Sequence, residues 1–590
     1  MKMANIDLIL LHPPTLYDFR NRPGIHGPIS DVVPSTPIFE MYPIGFASLS
    51  EYLERYGLKV RIINVAMKML KDEKFNVERL ILKNRPVAFG IDLHWMAHVQ
   101  GALALAEIIK RFHPNIPVIL GGLSATYYHE EILRQYPFID FVVRGDSTEK
   151  PLLQLLQTIK TGGDFKNIPN LTYRNDSNGI QVNPLTHVPE DLNEITIDYS
   201  HIMRKVVRYV DPTGYQPFID WYTYPVTAVF TCRGCTYSCK TCGGSSTTFR
   251  SMANRRKPAF RNPKLLAQDI FNISDHLHAP VMIIGDIFQA GEEYGFTFLQ
   301  EMKKKSITNH IAFEFFIPPS RAQLEKIADS ISNFNIEISP ESHDEEVRRA
   351  FGRPYNNDSL ERMIEDAVDL GSKRIDLFFM TGLPKQTYQS VLETVDYCRS
   401  LLERFRSYNK LFPFISPLAP FLDPGSTVFE APEKYGYRLL YRTVEEHRQA
   451  SLAPSWKYTL NYETEWMNRD EIVYSTYEAG KRLNRLKAEF GLIDSKTAAS
   501  VEMRLEGTVR MMKEIDQIMA LPNVKEREVA LESISSGRHS LQNYSMSTIC
   551  EKKELEWPTR FIRMNFIKIL KTLLMRRKPN VSIPSSTGTP

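Results

Sequence analysis

Four of the six cysteines of this 590-residue chain fall between positions 232 and 242, a clustering that indicates metal or redox chemistry. Within it, Cys235, Cys239 and Cys242 follow the spacing C-x3-C-x2-C. Cysteine thiolates are the usual ligands of [4Fe–4S] clusters. Three thiolates leave one iron of such a cluster open, and an open coordination position is typical of a catalytic centre. The three cysteines are therefore predicted to hold a catalytic [4Fe–4S] cluster.

Two other interpretations use the same cysteines. Zinc could be bound by Cys232 with Cys235 and by Cys239 with Cys242, but only residues 236–238 separate the pairs. Paired zinc knuckles are usually separated by roughly a dozen residues or more. A redox C-x-x-C at Cys239 and Cys242 would leave the other two cysteines without a role. Cys232 lies outside the three-cysteine spacing and is expected to be a packed neighbour, with a secondary thiol as the alternative.

The cysteines follow the first strand of a region in which apolar runs alternate with helical stretches from Tyr224 onward. The predicted strands are Val226–Thr231, Val281–Ile284, Ala312–Ile317, Asn335–Ser339, Arg374–Met380 and Phe412–Ser416. Such strand–helix units predict a barrel or part of one between residues 224 and 430. Catalytic groups of these barrels lie at the carboxyl ends of the strands. The cysteines are thus placed where catalysis is expected.

Gly234 followed by the three cysteines resembles the signature of the radical S-adenosylmethionine (SAM) superfamily. The resemblance implies a partial (β/α)6 barrel and a unique iron that binds the amino and carboxylate groups of SAM. It also implies reductive cleavage of SAM to methionine and a 5′-deoxyadenosyl radical, which abstracts a hydrogen atom. Members often carry an aromatic residue just before the third cysteine. Thr241 departs from that pattern and leaves the ligands unchanged.

Later segments resemble the cobalamin-associated branch of that superfamily. They are Ile338-Ser339-Pro340-Glu341-Ser342, Phe351-Gly352-Arg353-Pro354-Tyr355 and Thr381-Gly382-Leu383-Pro384. The resemblance implies that Glu341 and Ser342 contact the ribose or methionine moiety of SAM. It implies also that Gly382 and Pro384 let the backbone approach the adenine. Asp286, at the end of the second strand, is expected near the methionyl amino group, and a helix cap is its alternative role.

Residues 1–160 also alternate strands and helices, which predicts a doubly wound parallel sheet. The apolar runs are Ile6–Leu11, Val60–Val65, Pro86–Ile91, Val118–Leu120 and Phe141–Val143. Small or turn residues follow several of them, at the edge where such sheets bind ligands.

This region resembles the cobalamin-binding domain that precedes the barrel in the same branch. The resemblance is carried by His12-Pro13-Pro14, Pro43-x-Gly45, Gly121-Gly122 and Arg144-Gly145-Asp146-Ser147-Thr148-Glu149. It implies cobalamin close to Pro13, Gly45, Gly121, Gly122 and Gly145. Glycines at strand ends allow a bulky ring system to approach the backbone.

A histidine in this region is a second candidate for metal contact. Asp92-Leu93-His94-Trp95-Met96-Ala97 is similar to the D-x-H-x-x-G element by which other cobalamin proteins offer histidine to cobalt. Here the element follows the third strand instead of the first, and Ala97 replaces the glycine. We therefore expect Asp92, His94 and His98 to line the domain interface or the substrate path, with a contact between His94 and cobalamin as the alternative.

The remainder is predicted as a linker at 161–223, a mainly helical region at 431–578 and a disordered Pro/Ser/Thr-rich tail at 579–590. Residues 557–578 have the pattern of a basic amphipathic helix, which can lie on an anionic membrane or dock on the protein core. Aromatic residues are frequent at 453–477, where core packing is expected and a substrate pocket is the alternative.

Composition sets the broad class of function. The formal net charge of +4 is too small over 590 residues to favour nucleic-acid binding. No apolar run reaches the roughly 18 residues of a membrane span, and the first residues lack the pattern of a signal peptide. The expected location is the cytoplasm, with peripheral contact at the inner face of the membrane as a further expectation.

The sequence therefore predicts an enzyme that uses a [4Fe–4S] cluster, SAM and cobalamin to activate an unactivated C–H bond. The expected outcome is methylation or C–C bond formation on a small molecule or lipid, with a reductant such as flavodoxin or ferredoxin. Two alternatives stay open. One is radical cyclisation or rearrangement without catalytic cobalamin, and the other is a non-catalytic corrinoid or iron–sulfur carrier.

Overall fold

The first sheet has seven strands in the order β2-β1-β3-β4-β5-β6-β7, and its first five in sequence are parallel. All five residues of both β1 and β3 are buried, because helices cover both faces of the sheet. The strands are β1 (Leu8–His12), β2 (Val60–Asn64), β3 (Ala88–Asp92), β4 (Val118–Gly121), β5 (Phe141–Val143), β6 (Leu171–Arg174) and β7 (Ile180–Val182). The predicted doubly wound sheet is confirmed.

The helices between the parallel strands are crossovers. They are α1 (Gly45–Arg55), α2 (Val65–Lys71), α3 (Val77–Lys83), α4 (Val99–Phe112), α5 (Leu123–Tyr127) and α6 (His129–Gln135). Helix α7 (Glu149–Thr161) connects β5 to the antiparallel β6, and α8 (Tyr199–Tyr209) follows β7. Strand β1 pairs with both β2 and β3, so the chain moves from β1 to β2 on one side and then passes across β1 to β3 on the other. A parallel sheet with this order has its ligand crevice at the carboxyl ends of β1 and β3.

Part of the segment predicted as a linker at 161–223 pairs with the first sheet. Strands β6 and β7 extend the first sheet in antiparallel fashion, and β6 pairs directly with β5. The sheet therefore continues to Val182. Both strands are only three or four residues long, and β7 is mostly exposed. Neither gives the continuous apolar run by which the other strands can be recognised.

The second sheet has six parallel strands in the order β15-β14-β13-β12-β11-β8. They are β8 (Thr227–Phe230), β11 (Val281–Ile284), β12 (Ile311–Phe315), β13 (Phe334–Glu341), β14 (Arg374–Thr381) and β15 (Leu411–Pro417), with β9 (Cys232–Arg233) and β10 (Ala259–Phe260) forming a short antiparallel pair. The strands lie side by side in sequence order, and among the described residues β8 does not pair with β15. The barrel is therefore open, and the predicted partial barrel is confirmed.

Helices alternate with the barrel strands. They are α9 (Ser246–Ala253), α10 (Pro263–His276), α11 (Glu292–Met302), α12 (Arg321–Ala328), α13 (Glu345–Phe351), α14 (Asn357–Asp369) and α15 (Tyr388–Arg404). Phe313, Ile336 and Leu377 point from their strands toward these helices and are at most 1% exposed. Since side chains alternate along a strand, their neighbours face the lumen of the barrel.

The last region is mainly helical, as expected. Its elements are α16 (Thr427–Glu430), β16 (Tyr437–Leu439), α17 (Val444–Ala450), β17 (Tyr462–Thr464), α18 (Arg469–Glu489), α19 (Ser495–Met519), α20 (Val524–Ser535) and α21 (Phe566–Leu574). The aromatic stretch packs into the core: Trp456, Tyr462 and Tyr477 are buried.

The segment around Glu554 closes the lower end of the barrel. Arg374 at the start of β14 donates to the carbonyl of Glu556 (2.8 Å) and to that of Glu554. Its Nε also contacts both carboxylate oxygens of Asp376 (2.7 and 2.9 Å). The amino-terminal end of β14 is therefore held by residues 554–556.

The structure is a computed structural model, and it describes residues 6–22, 24–27, 35–175, 177, 179–417, 421–535, 541–557 and 565–574. The helix predicted over 557–578 is described only at α21, and Trp557 lies in a buried, non-helical segment. The predicted tail at 579–590 lies outside the described residues. Among the described helices, none has both the length and the apolar character needed to cross a membrane.

Candidate functional site

The cysteine loop leaves the carboxyl end of β8 and runs across the top of the barrel. Gly234 allows its turn with a positive φ of 92°. Side-chain and backbone N–H groups point at the sulfurs of this loop. Gln289 Nε2 lies 3.1 Å from Cys235 Sγ, and the amide of Gly244 lies 3.2 Å from Cys242 Sγ. Such donors stabilise the thiolate form that binds iron and tune a cluster's potential.

The three predicted ligands are free thiols in a largely buried setting. Burial raises the pKa of Cys235, Cys239 and Cys242, and the positive charge of Arg353 acts in the opposite direction on Cys235 and Cys239. Among the described residues, no three His, Cys, Asp or Glu side chains converge on one ion position. Three cysteine thiols on one short loop, with N–H groups aimed at the sulfurs of Cys235 and Cys242, are the donor set that a [4Fe–4S] cluster binds.

Glu341 lies beside the cysteine loop at the carboxyl end of β13. The strand is irregular there, and Glu341 has a positive φ of 68°. Its Oε1 accepts from Arg353 Nη2 (3.2 Å) and Nε (3.3 Å), whereas Oε2 is buried without a partner among the described residues. Burial raises the pKa of Glu341 to about 7, although Arg353 lowers it. An unpartnered buried oxygen is where a ligand hydroxyl or ammonium would bind.

Two further predicted residues are engaged in local turns. Ser342 Oγ accepts from the amide of Asp344 (3.1 Å), and Asp286 Oδ1 accepts from that of Phe288 (2.8 Å). Asp286 therefore caps a turn, close to the alternative role considered for it. Burial raises its pKa to about 7. Its position at the end of β11 leaves the predicted contact with the methionyl amino group as a prediction.

Gly382 has a different neighbour from the one expected. A Cβ built on Gly382, whose φ is 88°, would lie 2.1 Å from the hydroxyl oxygen of Tyr462. The glycine is thus required by packing of the helical region on the barrel. Pro384 lies in the turn that follows β14. Contacts of both residues with the adenine stay a prediction.

At the crevice of the first sheet, His12 joins the ends of β1 and β3. Its Nδ1 lies 2.9 Å from Asp92 Oδ1, and its Nε2 lies 3.1 Å from the carbonyl oxygen of Phe39. His98 Nε2 donates to the same carbonyl (3.0 Å). Asp92 Oδ2 and His98 Nδ1 are buried without partners among the described residues. These orphaned polar atoms at the ligand crevice fit the amide-rich periphery of cobalamin.

No hydrogen bond joins His94 to Asp92, whose Oδ1 contacts His12 instead. The ring of His94 packs edge-on against Trp95 (5.2 Å between centroids), and burial lowers its pKa. The neutral imidazole that results is the form able to bind a metal. The structure therefore places Asp92 and His94 next to the crevice without the carboxylate–histidine pair of the similar element.

The other residues predicted to contact cobalamin surround the same edge. Pro13 follows β1, and Gly45 begins α1 with open space beside it. Gly121 ends β4. Gly122 has a φ of 112°, and a Cβ built on it would lie 2.6 Å from the backbone of His94. The absence of a side chain therefore allows the two backbone segments to approach closely. Gly145, after β5, donates its N–H to Thr126 Oγ1 (3.0 Å).

Two buried ion pairs join the segment after β5 to residues on either side of the three cysteines. Arg233, two residues before Cys235, donates to Glu149 at 2.8 and 2.5 Å, and these side chains are 15% and 4% exposed. Arg255 pairs with Asp146, and both are at most 7% exposed. The carboxyl ends of β5 and β8 are thereby held together. The resemblance pointed to the segment of Asp146 and Glu149 without revealing this partner.

Several side chains around the cysteines were not predicted from the sequence. Arg353 was noted only as part of a motif, although its guanidinium lies 4.8 Å above the ring of Phe316 and binds Glu341. Glu314 accepts from the amide of Gly285 (2.7 Å), and Asp423 accepts from that of Gly243 (2.8 Å). A charged residue in an otherwise apolar strand is the signal that could have identified Glu314.

Two family profiles match the chain. Residues 31–152 match the B12 binding domain, and residues 229–398 match the radical SAM superfamily. An uncharacterized methyltransferase of Pyrococcus horikoshii is 27% identical over 246 residues, 42% of this chain and 46% of that protein. An anaerobic magnesium-protoporphyrin IX monomethyl ester cyclase of Synechocystis sp. is 24% identical over 264 residues, 45% of this chain and 46% of that protein. The chain thus spans about half the length of these curated relatives.

Solved structures share the fold. The cobalamin-dependent SAM radical enzyme OxsB, with aqua-cobalamin and SAM bound, has a TM-score of 0.53 at 13% identity, covering 96% of this chain and 80% of its own. The radical SAM methyltransferase TsrM of Kitasatospora setae, with tryptophan substrate and a SAM analogue, has a TM-score of 0.51 at 14% identity, covering 73% and 78%. The cofactors that these domains imply are a [4Fe–4S] cluster, SAM and cobalamin. The chain therefore contains a radical SAM domain at residues 229–398, and this domain follows a B12-binding domain at residues 31–152.

Proposed function

We propose that this protein is a cobalamin-dependent radical SAM methyltransferase that transfers a methyl group to an unactivated carbon. The observation that carries the proposal is the pairing of Arg233 with Glu149 and of Arg255 with Asp146. These pairs hold the carboxyl edge of the B12-binding sheet against residues that lie before and after the three cysteines. A substrate between the two edges would lie within reach of both cofactors.

Each group of residues has a separate task in this proposal. Cys235, Cys239 and Cys242 would hold the cluster, which together with SAM supplies a hydrogen-abstracting radical when bound. Glu341 offers a buried carboxylate oxygen to SAM, and Arg353 fixes the orientation of that carboxylate through its two hydrogen bonds. At the carboxyl edge of the B12-binding sheet, the side chains of Asp92 and His98 would form hydrogen bonds with the periphery of cobalamin.

The proposal is tested with anaerobically reconstituted protein, reductant and SAM labelled in its methyl group. We expect 5′-deoxyadenosine, and we expect the label to appear on the cobalamin fraction. A small electron-transfer protein such as flavodoxin or ferredoxin should replace the chemical reductant. Intact cluster and bound cobalamin without any 5′-deoxyadenosine would exclude the radical enzyme and favour the carrier alternative.

A second function is favoured by one observation, the similarity to a relative named as a cyclase. In that case the radical would lead to ring formation or rearrangement without methyl transfer. Labelled SAM separates the two functions. A methyltransferase passes the label to cobalamin or product, whereas a cyclase forms 5′-deoxyadenosine and leaves the label in methionine.

Replacement of Glu341 by Gln is expected to weaken SAM binding by about 10-fold or more, because hydrogen bonds to charged groups are the stronger ones. The amide keeps an oxygen for Arg353, so the unfolding midpoint should change little. Calorimetric titration of SAM measures the effect, with Glu325→Gln on the exposed face of α12 as the matched control. Unchanged SAM affinity in Glu341→Gln would remove this residue from the cofactor site.

We further propose that α21 brings the protein to an anionic membrane surface, where a lipid substrate would be accessible. The polar side of the helix contacts the protein: Thr572 bonds with Arg204 and His276, and Lys568 pairs with Asp275. Its other side carries four large apolar side chains that are 58–74% exposed: Phe566, Ile567, Leu570 and Leu574. No Asp or Glu follows Glu556 in the sequence, whereas Lys and Arg are frequent there.

Cosedimentation with vesicles tests the membrane contact. The protein should bind phosphatidylcholine vesicles that contain about 30% phosphatidylserine, with loss of binding as salt rises. Ile567→Glu and Leu570→Glu should each weaken binding roughly tenfold, since each removes an apolar side chain from the lipid contact. Leu82→Glu, at an exposed leucine of α3, is the control. Equal binding of all variants would contradict the proposal.

A further inference from the structure

Cys232 is the cysteine that the three-cysteine spacing leaves without a role, and its thiol lies against Gln289. Its Sγ is 3.4 Å from Gln289 Oε1 and 3.4 Å from the carbonyl oxygen of Gly234. A thiol that binds no metal keeps its hydrogen near neutral pH. The hydrogen of Cys232 therefore lies between two oxygen acceptors, one of which belongs to the side-chain amide of Gln289.

The other end of the same amide points at a predicted cluster ligand. Gln289 Nε2 lies 3.1 Å from Cys235 Sγ, and within the described part of the chain no other side chain donates an N–H to the three ligand sulfurs. The backbone of Gln289 is fixed in the turn after β11, where its N–H donates to the carbonyl oxygen of Asp286 (3.1 Å). The side chain thus reaches from this turn to the cysteine loop and contacts two cysteines with opposite ends of one amide.

Both contacts favour the same orientation of the Gln289 amide. A thiol hydrogen needs an acceptor, whereas an anionic sulfur that binds iron needs a donor. If the amide turned by 180°, Oε1 would face the anionic sulfur of Cys235 and Nε2 would face the thiol hydrogen of Cys232. The thiol of Cys232 therefore acts on Cys235 through the orientation of Gln289.

Cys232 is itself held in place by its own strand. It belongs to β9, and its backbone is paired with Phe260 of β10. On the other side, Thr231 Oγ1 lies 3.6 Å from Cys232 Sγ. The thiol is therefore a fixed point for the side chain of Gln289, which is longer and has more rotatable bonds.

We propose that Cys232 is a positioning residue that holds the N–H of Gln289 toward Cys235, and that this contact raises the reduction potential of the cluster. Reduction by one electron from an external carrier adds one negative charge to the cluster and its thiolates. An N–H group aimed at a sulfur stabilises the more negative state, so its loss makes reduction less favourable. The inference rests on the proposed function only in that Cys235 is taken to bind the cluster.

A redox titration of the anaerobically reconstituted protein without SAM tests the contact through the paramagnetic resonance signal of the reduced cluster. Gln289→Leu should lower the equilibrium constant of reduction about tenfold, which corresponds to a potential about 59 mV lower. Gln289→Asn, whose amide is one methylene shorter, should lower it as well, so the test does not depend on cluster assembly in the leucine variant. Gln389→Leu, at an exposed glutamine of α15, should keep the wild-type potential. An unchanged potential in both Gln289 variants would overturn the proposal.

Variants of Cys232 separate positioning from packing. Cys232→Ala should lower the equilibrium constant of reduction about threefold, because the amide is then free to turn, whereas Cys232→Ser keeps a hydrogen donor and should stay closer to wild type. The double variant with Cys232→Ala and Gln289→Leu should match Gln289→Leu alone, since the thiol acts through the amide. Additive shifts, or equal potentials in Cys232→Ala and Cys232→Ser, would refute the positioning role. Formation of 5′-deoxyadenosine tests the proposed function independently, because these titrations contain no SAM.

Discussion

Single replacement of Cys235, Cys239 or Cys242 by Ala is expected to abolish the broad visible absorption of the reconstituted cluster and all SAM cleavage. Each thiolate would bind a different iron, so a cluster with two protein ligands is exposed to solvent and lost. The N–H groups of Gln289 and Gly244 orient these sulfurs and cannot replace them. Iron and sulfide analysis after anaerobic reconstitution provides the measurement.

Two cysteines of the same chain serve as matched controls. Cys232 Sγ lies 3.4 Å from the side-chain oxygen Oε1 of Gln289, whereas the Nε2 of the same amide points at Cys235. Cys398 is buried in α15. Cys232→Ala and Cys398→Ala should both keep the cluster spectrum. Loss of the cluster in Cys232→Ala, with retention in Cys242→Ala, would contradict the ligand assignment.

Glu149→Gln should destabilise the unliganded protein by about 3–5 kcal/mol, because it leaves the guanidinium of Arg233 buried without its charge partner. Denaturant unfolding followed by fluorescence provides the measurement, with the first transition expected to shift. The exposed pair of Arg399 and Glu489 is the control: Glu489→Gln should leave the transition in place. A shift of similar size in both variants would show that the buried pair of Glu149 contributes no more to stability than the exposed pair of Glu489.

The same pair predicts a dependence on pH. Burial alone would raise the pKa of Glu149, but the charge and hydrogen bonds of Arg233 outweigh it, and the pKa is lowered. The pair therefore stabilises the folded state fully above the unfolded pKa of about 4.3, and the contribution is lost as the pH falls through the folded pKa. Wild-type protein should lose stability on acidification in that range, and Glu149→Gln should lose less.

Much of the architecture could be predicted because its strands are buried on both faces. Val281–Ile284 was predicted with its observed bounds, and the other barrel strands differ by a few residues at their ends. The cysteine spacing and the later motifs predicted a radical SAM domain, which the family profile confirms at residues 229–398. Strands β6 and β7 escaped detection because short antiparallel edge strands carry little apolar signal.

The missing parts of the site are contacts between residues far apart in sequence. The pair of Arg233 with Glu149 spans 84 positions, and nothing in either local segment specifies the other. Gly382 is explained by Tyr462, which lies in the helical region and was expected only to pack in a core. The irregularity of β13 that turns Glu341 toward Arg353 likewise depends on tertiary packing.

The closure of the barrel by the segment around Glu554 has a consequence for synthesis on the ribosome. Arg374 and its carbonyl partner in Glu556 are 182 positions apart, so β14 emerges long before the residues that cap it. The seven-stranded sheet, complete at Val182, can fold while translation continues. The barrel instead lacks the contacts at its lower end until residues 554–556 have been synthesised. We therefore expect chaperones to retain nascent chains that stop before residue 550.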